Sequence, residues 1–146
     1  MNLPSSNAQR LLRLFEQLRG AKASPAFARL HALNISPSHM RAMHMLASVP
    51  ALPMKDLAEQ LGLTPPSVTA LTRRLVQTGL VQRQPHHDDS RVALLSLTDD
   101  GRALLHDLYR AQLARMERLL EGLSPDEQLL LLGLLERAIA TLRAPE

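Results

Sequence analysis

The sequence predicts a mostly α-helical chain with one short β-hairpin near its middle. Apolar residues recur every three or four positions through most of the 146 residues, as in helices that bury one face. Several of these segments begin with a serine or threonine followed by proline, which is a typical helix N-terminus. The stretch 80–97 instead alternates apolar and polar residues around a loop rich in turn-forming residues.

Three helices are predicted before residue 50. The first spans Asn7–Arg19, and the glycine and proline of Gly20–Pro25 interrupt it before a second helix at Ala26–Leu33. The third, within about Ser36–Ser48, begins with a serine cap and a proline at its first helical position. We interpret Pro50–Pro53 as a linker to the central elements.

Two short helices separated by a tight turn are predicted next. The first is Met54–Leu61, and Gly62 ends it because glycine adopts a positive φ without steric cost. Thr64 caps the second helix, which has Pro65 at its first position. The apolar stripe of this second helix consists of Val68, Leu71 and Leu75. This spacing is that of a helix-turn-helix.

The face opposite that stripe carries groups that can contact DNA bases. It comprises Pro66, Thr69, Ala70, Arg73 and Gln77, with Ser67 and Arg74 at its flanks. Hydroxyl groups can pair with either base type, an alanine methyl can contact thymine, and arginine can bind guanine with two hydrogen bonds. The same arginines can instead hold phosphates, and the plainest alternative is an ordinary solvated helix face.

A predicted β-hairpin after the second helix favours the DNA interpretation. Leu80–Arg83 and Val92–Leu97 are the expected strands, and Pro85–Ser90 is the loop between them. A hairpin in this position is a wing. Arg91 at its end can enter a minor groove or hold a phosphate, and Asp89 can orient the guanidinium through a charge-assisted hydrogen bond.

Taken together, these elements resemble the winged-helix core of the MarR (multiple antibiotic resistance regulator) family of bacterial transcription factors. The resemblance rests on the helix pair, the exit Gly79–Arg83, the acidic wing that ends in Arg91, and the Leu-Thr start of the following helix. It implies a mostly α fold with a small β-wing. A winged helix-turn-helix lobe would occupy about residues 36–98, between dimerisation helices at about 7–33 and 99–143.

One position of the wing departs from the family pattern. The family commonly has Asp-Arg-Arg where this chain has Asp89-Ser90-Arg91. One wing cation is therefore missing. His86 and His87 can contribute to DNA binding in its place, but only when they are protonated.

Two further helices are expected after the wing, at Asp99–Glu121 and Pro125–Leu142. The second begins with a capping box formed by Ser124 and Glu127. Leucine occupies six of the seven positions 129–135, which is more than one helix face hides in a small monomer. We predict that this helix and the N-terminal helix form a homodimer; the alternative is a core helix within one chain.

Composition excludes several other classes of protein. Seventeen basic and fourteen acidic residues give a net charge of +3, which permits nucleic-acid binding. Because cysteine is absent, disulfides, thiol sensing and cysteine-ligated zinc are excluded. No apolar run reaches the ~20 residues of a membrane span, and no enzyme motif occurs. We therefore expect a cytoplasmic protein that is not an enzyme and has no cofactor.

The stretch 31–45 contains the residues that we predict for a small-molecule effector. The resemblance implies an effector site between the dimerisation helices and the winged lobe. The candidates are His31, His39, Met40, Arg41, Met43 and His44. Arginine or histidine can pair with an anionic aromatic molecule while methionine adapts to its ring. The alternative is a set of surface histidines above a core that contains methionine.

Histidine spacing does not favour a metal site. His39 and His44 are five residues apart, which does not place them on one helix face, and no acidic residue lies in the segment 32–55. The cluster His86–Asp89 holds possible ligands, but we interpret it as a solvated wing tip. We predict no metal.

The predicted function is sequence-specific regulation of transcription. A homodimer would place two recognition helices in successive major grooves of double-stranded DNA, so the operator should be an inverted repeat. Repression is the expected outcome, because a bound dimer would block polymerase. The alternative is a winged-helix module for protein–protein contact that has no operator.

Overall fold

The computed structural model describes residues 6–19 and 24–143. These residues form seven helices and three strands. The helices are α1 (Ser6–Arg19), α2 (Pro25–Ala32), α3 (Pro37–Ala47), α4 (Met54–Leu61), α5 (Pro65–Gln77), α6 (Asp99–Leu120) and α7 (Pro125–Arg143). The strands are β1 (Leu52–Pro53), β2 (Val81–Pro85) and β3 (Ala93–Leu97). A mostly α fold with a small β-wing is thus confirmed.

The chain divides into two compact units, residues 1–105 and 106–146. The first unit contains the helix-turn-helix and the sheet, and the second contains α7 and most of α6. Within the part of the chain that is described, no helix is long and apolar enough to cross a membrane.

The sheet has three antiparallel strands in the order β1-β3-β2. The interpretation of Pro50–Pro53 as a linker was wrong, because Leu52 and Pro53 form a strand that pairs with Leu95 and Leu94. Two residues are too few to show an alternating pattern in the sequence. The absence of an amide hydrogen on Pro53 is tolerated because β1 is an edge strand.

The hairpin lies at the predicted place with shifted ends. Strand β2 begins at Val81, one residue later than predicted, and includes Pro85, the first residue of the predicted loop. Pro85 lies opposite Ala93 at the end of the ladder. A proline is accommodated there because β2 is the other edge of the sheet.

The core of the first unit lies between the sheet and helices α3 to α5. The predicted stripe of α5 is buried, with exposed fractions of 2% for Val68, 7% for Leu71 and 0% for Leu75. Each fully buried aliphatic side chain contributes roughly 1.5–3 kcal/mol of transfer free energy. This core therefore fixes α5 firmly and leaves its opposite face directed outward.

Side-chain caps define the helices that carry the predicted contacts. Gly62 ends α4 at φ 65°, and the Thr64 hydroxyl accepts a hydrogen bond from the backbone of Ser67 at the start of α5. The extended backbone of Ser24, which caps α2, confirms that the N-terminal helical region is interrupted. The remainder of the predicted interruption, residues 20–23, lies outside the described residues.

Gly101, in the first turn of α6, permits a close approach to Leu80, which directly precedes β2. A Cβ atom at this position would lie 2.1 Å from the backbone oxygen of Leu80. The same oxygen accepts a hydrogen bond from Thr98 N (3.1 Å), and the Thr98 hydroxyl caps α6 by accepting one from Gly101 N (3.1 Å). Only glycine fits this junction without displacing the backbone.

The second unit is a helical hairpin closed by the predicted capping box. Ser124 N donates to the Glu127 carboxylate (2.8 Å), and Glu127 N donates to the Ser124 hydroxyl (3.3 Å). Hydrogen bonds from the Ser124 backbone and side chain lower the pKa of Glu127. The Gln128 amide donates to the carbonyls of Leu120 and Leu123 and so closes the turn.

Candidate DNA-binding interface

Helix α5 presents most of the predicted contact residues to solvent. Pro66, Ser67, Ala70, Arg73 and Gln77 are exposed, whereas Thr69 is half-buried. Small residues occupy the N-terminal half of this face and longer polar ones its C-terminal half. A short-side-chain surface allows a helix to approach base edges closely in a major groove.

Hydrogen bonds within the chain determine whether each hydroxyl group at the start of α5 can donate to DNA or accept from it. Thr64 Oγ1 donates to Ser67 Oγ (2.9 Å), so the Ser67 hydroxyl proton is free to be donated outward. Thr69 Oγ1 donates its proton to the Pro65 carbonyl (2.8 Å) and keeps its lone pairs for an incoming donor. The first turns of α5 therefore offer one donor and one acceptor, two residues apart in the chain.

The two neighbouring arginines of α5 have different environments. The guanidinium of Arg73 is exposed, and no described residue pairs with it. Arg74 is half-buried and donates two hydrogen bonds to the carbonyl oxygen of Leu33, from Nε at 3.0 Å and from Nη2 at 2.6 Å. Our prediction placed Arg74 with the DNA-contacting residues, whereas the structure gives it a tie between α5 and the end of α2.

The Leu33 carbonyl is available because of how α2 ends. Asn34 adopts a left-handed conformation (φ 53°), and the amides of Asn34 and Ile35 turn back to His31 and Leu30. The sequence signal for this turn is an asparagine directly after the helix. That signal does not reveal the donor, which lies 41 residues away.

Backbone hydrogen bonds close the wing loop, and Asp89 holds Arg91 through its backbone nitrogen and its Nε atom. His86 N donates to Val92 O (2.8 Å), and Val92 N donates to Asp89 O (3.0 Å). The Asp89 carboxylate accepts from Arg91 N (3.0 Å) and Arg91 Nε (3.2 Å), so the predicted contact between these two side chains is present. The Arg91 side chain is 90% exposed, and its terminal nitrogens extend into solvent.

Three further polar side chains lie at the tip of the wing. The rings of His86 and His87 stack with centroids 4.5 Å apart. His87 Nε2 lies 3.1 Å from a carboxylate oxygen of Asp88, and His86 Nδ1 accepts a hydrogen bond from Asp88 N (3.1 Å). His87 is largely exposed, so it is accessible to a partner outside the chain.

The six predicted effector residues are not gathered on one surface. Met43 is fully buried in the core, so it is a packing residue rather than a surface contact. His31, Arg41 and His44 are exposed, and Met40 is half-buried.

His39, the remaining predicted effector residue, has a structural role. Its Nδ1 accepts a hydrogen bond from Ser36 N (3.1 Å), which completes a capping box at the start of α3. Burial, and then the charge of nearby Arg74, lowers the pKa of His39. The neutral imidazole is therefore the form that this cap requires.

Comparison with known proteins identifies relatives along most of the chain. Residues 35–93 match the MarR family. The HTH-type transcriptional regulator FarR of Neisseria gonorrhoeae is 33% identical over 106 residues, which cover 73% of each chain. The HTH-type transcriptional repressor MdtR of Bacillus subtilis is 30% identical over 95 residues, 65% of this chain and 61% of MdtR.

Solved structures support the same fold over nearly the full length. The YusO protein of Bacillus subtilis has a TM-score of 0.79 at 24% identity and covers 93% of this chain and 94% of YusO. The F27L mutant of MepR from S. aureus, bound to an oligodeoxyribonucleotide, has a TM-score of 0.71 at 22% identity, with 97% and 99% covered. Sequence and fold agree: this chain belongs to the MarR family of DNA-binding transcriptional regulators.

Proposed function

We propose that this protein is a sequence-specific regulator that binds an inverted-repeat operator as a homodimer, and that it represses transcription there. The observation that carries the proposal is the exposed face of α5 beside the exposed Arg91 of the wing. Both belong to the same compact unit, and the buried stripe of α5 holds this helix in place before DNA binds. A preformed surface loses little conformational entropy on binding.

The α5 face supplies the sequence-specific contacts in this proposal. Ser67 donates, Thr69 accepts, and Arg73 has its guanidinium free to bind a guanine edge. Ala70 can contact a thymine methyl, and Gln77 can reach a base or phosphate near the end of the helix. Arg74 is left out of this set because it is bonded to Leu33.

The wing supplies contacts that do not depend on sequence. Asp89 binds the Nε side of Arg91 and leaves the terminal nitrogens to face a phosphate or a minor groove. Because contacts of this kind release counterions, affinity should fall steeply as salt is added.

The homodimer is proposed from the apolar side chains that a single chain leaves exposed. No described residue of α7 is buried, and Leu129 and Leu130 have exposed fractions of 71% and 63%. Leu11 and Leu12 of α1 are also more than half exposed. In a two-fold dimer, each chain would cover these helices of the other. The two α5 helices would then contact half-sites roughly 10 base pairs apart, so an inverted repeat is expected.

Two parts of the proposal concern control. A dimer bound at a promoter would exclude polymerase, and the matched relative MdtR is named a repressor. Arg41 and His44 are exposed on α3, where a small anionic aromatic effector could pair with them. Such an effector can change DNA binding only if it binds the DNA-competent and DNA-incompetent conformations with different affinities, and the size of that difference limits its effect.

Selection of bound sequences from random duplexes at near-physiological salt tests the proposal. We expect an enriched inverted repeat with half-sites about one turn apart. An Arg110→Ala variant, which changes an exposed arginine outside the interface, should select the same sequence. Binding without enrichment would contradict sequence specificity, and no binding at all would favour a module for protein–protein contact.

A further inference from the structure

The tip of the wing brings together three side chains that can bind a metal ion. His86, His87 and Asp88 each offer one ligand atom, and these atoms lie within 4.8 Å of one another. They are consecutive in the sequence, and such neighbours in an extended strand would point to opposite faces. The turn of the loop places all three on the same side.

The loop is held in this shape by its own backbone. The hydrogen bonds His86 N to Val92 O and Val92 N to Asp89 O close the hairpin on both sides of the cluster. The two imidazole rings stack at an interplanar angle of 21°. Part of the conformational entropy that a site must lose on binding a metal is therefore already lost.

The distances are compatible with a tetrahedral ion after small side-chain rotations. Ligand atoms at about 2.0–2.1 Å from zinc are roughly 3.3–3.4 Å apart. His87 Nε2 and Asp88 Oδ2 are already 3.1 Å apart, and these side chains are 80% and 76% exposed, so both are free to rotate. Binding through His86 also requires its hydrogen bond from Asp88 N to be released, and water can replace that bond in an exposed loop.

We propose that His86, His87 and Asp88 form a zinc site with water in the remaining position. Two imidazoles and one carboxylate are ligands that zinc accepts, whereas calcium and magnesium prefer oxygen ligands alone. Asp89 stays outside the site because its carboxylate is bonded to Arg91. This differs from our sequence prediction of a solvated tip without metal.

A bound zinc ion would make the wing positively charged. With neutral histidines, the charged side chains of the hairpin sum to zero: Arg83 and Arg91 contribute +1 each, and Asp88 and Asp89 contribute −1 each; adding +2 gives +2. Zinc should therefore raise the affinity of the wing for DNA, and DNA should raise the affinity for zinc by the same factor. This consequence rests on the proposed function, whereas the metal site itself does not.

Calorimetric titration of the full, tag-free chain with zinc sulfate tests the site. We expect one saturable zinc ion per chain, and at least a tenfold loss of affinity in His87→Gln and in Asp88→Asn. His106→Gln removes an exposed histidine of α6 and should leave zinc binding unchanged. Circular dichroism checks that each variant is folded. Wild-type binding that His87→Gln leaves intact, or no saturable binding, would overturn the site.

A second measurement tests the coupling and separates it from the proposed function. Affinity for a random duplex is measured with zinc and, at equal ionic strength, with magnesium. We expect zinc to raise affinity several-fold in the wild type and not in His87→Gln. Zinc binding without this rise would overturn the coupling and keep the site. Failure to bind DNA in either buffer would contradict the proposed function, while calorimetry would still decide the metal site.

Discussion

Helices α5 and α7 are both rich in apolar residues, but their surroundings are opposite. The stripe of α5 is buried within one chain, with Leu75 at 0% exposure. Helix α7 has the better N-terminal cap and seven leucines against two in α5, yet none of its described residues is buried. Local hydrogen bonds therefore determine where a helix begins, whereas packing determines whether its apolar face is satisfied. The winged lobe buries its own apolar face, and we propose that a second copy of the chain supplies the surface that covers α7.

The largest expected effect comes from removing that second surface. The double variant Leu131→Glu, Leu135→Glu places two charges on the apolar side of α7, where each leucine would contribute roughly 1.5–3 kcal/mol on full burial. Light scattering should give the mass of a monomer, or circular dichroism should show an unfolded chain. Gln60→Glu, at an exposed position of α4, is the charge control. A stable, folded dimer in the double variant would refute the interface.

Within the lobe, Gly101→Ala should lower the free energy of unfolding by about 1–3 kcal/mol or more. The added Cβ would lie 2.1 Å from the Leu80 backbone oxygen, so the junction of α6 with the sheet must move. Gly122→Ala is the matched control, because the nearest atom to its Cβ would be at 3.9 Å. Chemical denaturation measures both. Equal stability of the two variants would contradict the close approach.

Variants of Arg73 and Arg74 should distinguish a side chain that contacts DNA from one that holds α5 in position. Arg73→Ala should cost about 1–3 kcal/mol in operator binding and leave the free energy of unfolding unchanged. Arg74→Ala should reduce the stability of the lobe, since it removes two hydrogen bonds to Leu33, while the slope of affinity against salt stays the same.

The slope of the logarithm of DNA affinity against the logarithm of salt concentration is the measurement that distinguishes the roles of Arg73 and Arg74. A fall of about one unit in the slope for Arg74→Ala would identify a phosphate contact instead of a tie to α2. Arg74→Lys should not restore stability, because a lysine lacks the forked donors that bind one carbonyl from two nitrogens.

Arg91→Ala should weaken binding to operator and to random duplex by similar factors. The expected reason is the loss of one phosphate or minor-groove contact, with a decrease of about one unit in the salt slope. Asp89→Asn keeps the cation and removes the charge that orients it, so its effect should be smaller. A change in sequence preference alone would contradict a wing that binds DNA without reading bases.

The smallest effect concerns the cap of α3. Because the pKa of His39 is lowered in the folded chain, the unfolded chain takes up this proton first as pH falls through the ordinary value near 6.5. Stability should therefore decline below that pH and level off once the folded His39 is also protonated. Denaturation from pH 7.5 to 5 should show less decline in His39→Gln than in His44→Gln. Identical profiles would contradict the role of His39.

Much of the lobe follows from local sequence signals. Gly62, Thr64 and the α5 stripe each determine structure within a few residues. In the second unit, Ser124 and Glu127 do the same at the start of α7. Long-range partners leave no such signal. The two-residue strand β1 exists only because β3 pairs with it, and the partner of Arg74 is 41 residues away. A helical wheel places both Arg73 and Arg74 toward solvent, and it therefore does not predict that Arg74 is bonded to Leu33 while Arg73 has no described partner.

The mass of the protein–DNA complex tests the central contrast between the two helices most directly. Sedimentation of the wild-type chain with a selected duplex should give two chains per duplex that contains both half-sites. The free protein should already be a dimer at the same concentration, because α7 and not DNA joins the chains. A folded monomer that binds one half-site at a time would contradict the proposal that α7 is covered by a second copy.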